Sequence, residues 1–145
     1  MKPGPAAVNA KEATMDPIRL FTVIALVSLP TVMFGGYSLL RLSAAQKLTP
    51  FQHGYFRAGH AHAGVLLVLA LVSLNLLDGT GLSLGVRWLA CLLLLVGILA
   101  QSGGMFVHAF LGRPGAWSRG NTLSVAGAAL LGVALLIIAW GVAVA

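Results

Sequence analysis

Four runs of apolar residues, separated by three short polar gaps, dominate this chain, and each is about as long as a helix needs to cross roughly 30 Å of hydrocarbon. They cover 18–40, 60–77, 86–111 and 122–144. Of the 145 residues 59% are hydrophobic and only 8% charged, with a mean hydropathy of +0.96, whereas a soluble domain carries roughly a quarter of its residues as charges. Nine basic and three acidic side chains cannot build a polar shell around a chain of this length, so its partner is the lipid bilayer. The expected fold class is all-α: an integral membrane four-helix bundle of antiparallel up-down topology.

The gaps contain what water-exposed turns require. Arg41 to Gly59 brings Lys47, Pro50 and Arg57; the second gap holds Asp78, Gly79 and Gly81; the third holds Arg113, Pro114, Gly115, Arg119 and Gly120. The first 17 residues, with Pro3, Gly4, Pro5, Asn9 and Lys11, lack apolar periodicity and are expected to form a flexible tail ahead of one transmembrane domain over 18–145. Ser43-Ala44-Ala45 loosely resembles a signal-peptidase site, but it lies past a full-length span, and the run before it exceeds a signal core.

The net charge of +6 does not point to nucleic acid, because the basic residues fall singly at the ends of apolar runs and are not interleaved with stacking aromatics. Gaps one and three hold Arg41, Lys47, Arg57, Arg113 and Arg119; the opposite side holds Lys2, Lys11, Arg19 and Arg87. This split tips the orientation toward gaps one and three being cytoplasmic. Trp88, Trp117 and Trp140 fall near span ends and are expected to anchor at the interfaces.

Small residues mark the helix faces that approach one another in lipid: Gly35-Gly36, Gly103-Gly104, and Ala128 with Gly132 in a small-xxx-small spacing. Pro30 inside the first span is expected to kink it. Cys91, the single cysteine, lies in an apolar run and offers neither a disulfide nor a paired-thiol metal site.

The chemistry-bearing feature is the placement of four histidines. His53, His60 and His62 lie before or at the start of the second span, and His108 lies about one turn before the end of the third. In an up-down topology all four belong to one membrane face. Ionisable residues at membrane depth are costly and mark function by default, and histidine ligates haem iron, zinc and copper. On a regular helix residues 60 and 62 point about 160° apart, so either the helix begins after His60 or only one of the two faces inward.

The most economical site pairs His62 with His108, flanked by Met105 and Gln101, and two nitrogens on separate helices suit a haem b. Arg57 and Arg113, with Arg119 and Tyr55, are then expected to meet the propionates, and Gly59, Gly64, Gly103 and Gly104 to leave room for a flat ring. Adding His53 or His60 to the pair makes a copper or zinc site with three nitrogen ligands instead. The alternative is that the histidines are solvated or hydrogen-bonded at the headgroup boundary and hold no cofactor.

No Asp or Glu lies within a span, which argues against a carboxylate-based proton or sodium transporter. No catalytic triad, phosphate-binding glycine loop or metalloprotease signature occurs, so hydrolase and kinase activities have no support.

The stretches SLPTVMFGGYSLL, YFRAGHAHAGVLL and QSGGMFVHAFLGRPG resemble small four-span bacterial membrane proteins over most of the chain after about Asp16. That resemblance implies a multi-pass protein of the bacterial inner (plasma) membrane and supplies no activity. The His-x-His stretch is also similar, locally, to histidine-bearing helices of haem-containing oxidase and cytochrome b subunits, which carry more ligands and helices. Three functions are therefore expected in order: a haem- or metal-binding protein handling electrons; an accessory or assembly subunit of a larger membrane complex or homo-oligomer; and a small transporter or channel.

Overall fold

A computed structural model describes residues 15–145, so most of the expected tail, with Lys2 and Lys11, lies outside the described residues. Four helices follow one another: α1 Pro17–Ala44, α2 Pro50–Asp78, α3 Leu84–Leu111 and α4 Arg119–Ala143. Each is long and apolar enough to cross a bilayer.

The helix starts are chemically specified. Asp16 caps α1 by accepting from the Ile18 amide, and Pro17, with no N–H to satisfy, takes the first turn. Asp16 and Pro17, expected in the tail, therefore belong to the start of α1. The second helix begins ten residues earlier than its apolar run, because Thr49 and Gln52 form a reciprocal capping box and Pro50 opens the helix. Arg57 and His53, expected in a connection, are helical. Ser118 and Asn121 cap α4 in the same manner. At the far end Arg87 ties the short α2–α3 connection, donating from Nε to the Leu82 carbonyl and from Nη2 to the Thr80 carbonyl. Helix α1 continues through Pro30, whose ring nitrogen leaves the Leu26 carbonyl without its helical donor.

Helix α3 is the hub, packing against all three others, while α1 and α4 do not touch among the described residues. Gly97 of α3 meets Gly127 and Leu131 of α4, and Gly104 meets Gly120 and Ser124, so the residue numbers fall along α4 as they rise along α3. A β-carbon on Gly97 would stand 2.7 Å from Leu131 Cγ, and one on Gly104 would overlap the Ser124 hydroxyl. Four glycines, two on each helix and seven residues apart, thus allow backbone-to-backbone contact, reinforced by Ser124 Oγ donating to the Gln101 carbonyl at 3.0 Å.

This differs from the sequence expectation in a specific way. Of Gly103-Gly104 only Gly104 is in the interface; Gly103 and Gly132 have open space where a β-carbon would go, and Ala128 is exposed. The Ala128–Gly132 stripe faces away from the bundle, whereas Gly97, Gly120 and Gly127, not singled out by motif, make the close approach.

The contiguous apolar core lies at the α2–α3 turn end, where Phe21, Leu74, Leu77, Cys91, Leu94, Ala134 and Ile138 converge. Trp88 joins it, edge-on to Phe21 with ring centroids 5.9 Å apart, and so packs inward, where an interfacial anchor was expected. Trp117 and Trp140 are exposed. The outer surface is apolar throughout, including Val27, Met33, Val65, Leu99 and Leu136, each more than 60% exposed.

Candidate functional site

The histidines lie at the opposite end from that core, where glycines and aromatic rings replace aliphatic packing. Because α2 begins at Pro50, His60 and His62 both sit well inside one regular helix and point to different sides.

His60 turns toward α1. Its ring lies over the Gly35-Gly36 backbone, with Nε2 2.9 Å from the place a β-carbon of Gly36 would occupy. The glycine pair is therefore a seat for an imidazole, the only side-chain bulk this approach admits without displacement.

His62 faces the other flank of α2. It is half-buried, and its Nδ1 lies 2.9 Å from the Ala58 carbonyl. A carbonyl only accepts, so Nδ1 is the donor of this bond. Seven residues separate His62 from Tyr55, which places both on one stripe of α2, His62 about 10 Å deeper.

His108 is 2% exposed. It is held where α2, α3 and α4 meet: its ring packs edge-on against Tyr55 at 4.4 Å and Phe51 at 5.3 Å, and Nδ1 is 2.6 Å from Ser118 Oγ. Ser118 Oγ also lies 3.1 Å from Asn121 Oδ1 and accepts the Gly120 N–H at 3.1 Å, so the cap of α4 and the His108 ring share one hydroxyl. The cap of α4 thereby occupies Nδ1 of His108, as the Ala58 carbonyl occupies Nδ1 of His62. Neither Nε2 has a hydrogen-bond partner among the described residues. Gly112 and Gly120 make this burial possible, since a β-carbon on either would collide with the His108 side chain.

Tyr55, and not His62, is the α2 residue that meets His108 in the crevice where α2, α3 and α4 come together, so the two rings are not opposed. His53 lies in the first turn of α2, and no group of three His, Cys, Asp or Glu side chains gathers at metal-binding range among the described residues. Arg57 is exposed and lies about 140° around α2 from His62, away from the crevice. Arg113 is exposed in the connection that carries Ser118, and Arg119 is exposed at the start of α4.

No known protein family, curated protein or solved structure matches this chain.

Sequence reasoning missed Ser118 and Phe51. The only sequence signal for Ser118 was the Ser-x-x-Asn spacing before an apolar run, a variant of the capping-box pattern. Nothing local to Phe51 announces that it packs on a residue 57 positions later.

Proposed function

We propose that the chain is a four-span, up-and-down membrane protein of the bacterial inner membrane, with the α2–α3–α4 crevice holding a redox cofactor of the haem b type on His62 and His108. The single observation that carries this reading is the shared arrangement of the two rings: each has Nδ1 within hydrogen-bond distance of an oxygen of the chain, while Nε2 has no partner among the described residues. Histidines that ligate metals characteristically donate their other ring N–H in this manner, which orients the ring and raises its basicity. Tyr55, and not His62, meets His108, so loading requires α2 to shift and bring His62 opposite His108. Haem, when bound, supplies one-electron chemistry; the chain supplies two nitrogens, a small-residue wall at Gly59 and Gly104, and cationic Arg113 and Arg119 at the same end for acidic side groups. Copper or zinc on the histidines is the poorer variant, because no third ligand stands beside the pair.

The up-and-down arrangement is supported by the falling and rising contact order of α3 with α4, and by Val32 beside Gly64 with Gly36 beside His60. Gaps one and three, rich in arginine, then face the cytoplasm.

A second reading, an accessory or assembly subunit, is favoured by the outward Ala128–Gly132 stripe and by α1 and α4 leaving each other uncovered. An absorption spectrum of the detergent-purified protein, oxidised and dithionite-reduced, separates the two. A Soret band that shifts on reduction and disappears in H62A/H108A supports haem. A colourless protein that co-purifies with stoichiometric partners overturns it in favour of the subunit.

A further inference from the structure

A cleft of about 340 Å³ runs between α1, α2 and α3, on the side of α3 away from the histidine crevice. Its walls are almost wholly apolar, led by Phe21, Leu67, Leu94, Ile98 and Phe106. Small residues create the space: Ala25 on α1, Ala63 and Ala70 on α2, and Gly103 on α3 stand where larger side chains would close it. Along α3 the wall extends from Cys91 to Phe106, roughly 22 Å at 1.5 Å per residue. The volume lies in the range of small-molecule sites, and close-packed interiors do not keep apolar space of this size without an occupant. Water is a poor occupant, because it needs two or more polar partners and this wall has few.

One wall residue breaks the apolar pattern in an informative way. Ser102 is 6% exposed, lines the cleft, and its hydroxyl is the one fully buried side-chain oxygen without a hydrogen-bond partner among the described residues. A serine in an apolar helix ordinarily donates to the carbonyl four residues before it. Ser28 and Ser43 of this chain do so, to the Ile24 and Leu39 carbonyls, each at 2.7 Å. Ser102 does not use the Ile98 carbonyl. A buried donor left unmade is costly, so the hydroxyl calls for an acceptor from outside the chain.

We propose that this cleft binds a long-chain membrane molecule bearing a carbonyl oxygen, its chain lying along α3 toward Cys91 and its carbonyl accepting from Ser102. The shape fits one chain and the chemistry fits one acceptor. Two sources share that chemistry, a fatty acyl carboxyl compound and a membrane quinone. The site is independent of the histidine reading, since no histidine lines it.

The full chain in lipid nanodiscs is irradiated with palmitic acid carrying a diazirine near its methyl end, and adducts are mapped by peptide mass spectrometry. Expected are adducts on α3 between Cys91 and Leu94 that saturate, while labelling at Val133 and Leu136, which face outward on α4, rises linearly as bulk lipid does. Competition by unlabelled palmitic acid and not decylubiquinone identifies the acyl source; the reverse identifies the quinone. Ala70→Phe fills the cleft and should remove the saturable adducts alone, with Ala63→Leu as a second obstruction should the first fail to fold. Ser102→Ala should weaken the effective competitor about fivefold, the equivalent of one hydrogen bond. Labelling of α3 that does not saturate, or that survives the filling variants unchanged, overturns the proposal.

Discussion

Gly104 of α3 and Gly120 of α4 approach so closely that a β-carbon on either would stand 2.5 Å from the carbonyl oxygen of the other. The contact holds α4 against α3 at the level of His108, and it permits only glycine on both sides.

Gly104→Val should therefore separate α3 from α4 and destabilise the protein by about 1–3 kcal/mol, the usual range for overpacking. Gly132→Ala, at a position with open space, should leave stability the same or raise it slightly by helix propensity. Thermal unfolding of both variants in one detergent reads the difference. Equal losses would mean that the α3–α4 packing is not as described.

The bond from His108 to Ser118 makes a second prediction. Ser118→Ala removes both a helix cap and the hydrogen-bond partner of a buried imidazole, with an expected cost of about 1–3 kcal/mol. His108→Ala removes the other partner of that bond and the ring that packs on Tyr55. In a double-mutant cycle the two losses should fall short of additivity by about 0.5–3 kcal/mol, since they share one interaction. Strict additivity would show that the pair is not coupled.

His60 and His62 are two residues apart and should behave as unrelated positions. Gly36→Ala brings a methyl group to within 2.9 Å of His60 Nε2, so it should destabilise, and His60→Ala should relieve that loss. His62→Ala should give no such relief. The same three variants test the cofactor reading: loss of a Soret band in H62A with its retention in H60A is the expected spectrum.

The α2 cap offers a fourth test. Thr49→Ala should fray the first turn of α2 at a cost of about 1 kcal/mol, loosening Phe51 from His108. Faster amide hydrogen exchange confined to about 50–55 would be the signature. Unchanged exchange there would show that Pro50 alone suffices to start the helix.

Composition and apolar run length were enough to determine four helices of membrane-crossing length in this chain, because hydrocarbon demands an uninterrupted apolar segment and a fully paired backbone, and both leave marks in consecutive residues. Seven of the eight helix ends fell within four residues of those runs. The start of α2 did not, since Thr49, Pro50 and Gln52 specify a helix by capping chemistry while an apolar count sees only a polar connection. The sequence also singled out the four histidines, as residues too costly for lipid to carry idly. It left open whether His60 or His62 faces inward, because that depends on where α2 begins. What only the tertiary structure decided is which residues share a face: His60 over Gly35-Gly36, His108 between Tyr55 and Ser118, Gly97 and Gly104 against Gly127 and Gly120, and Ser102 beside a cleft. Those relationships join residues far apart in the chain, and they arise from the rotation of each helix about its axis, which an apolar run in a uniformly apolar solvent does not encode.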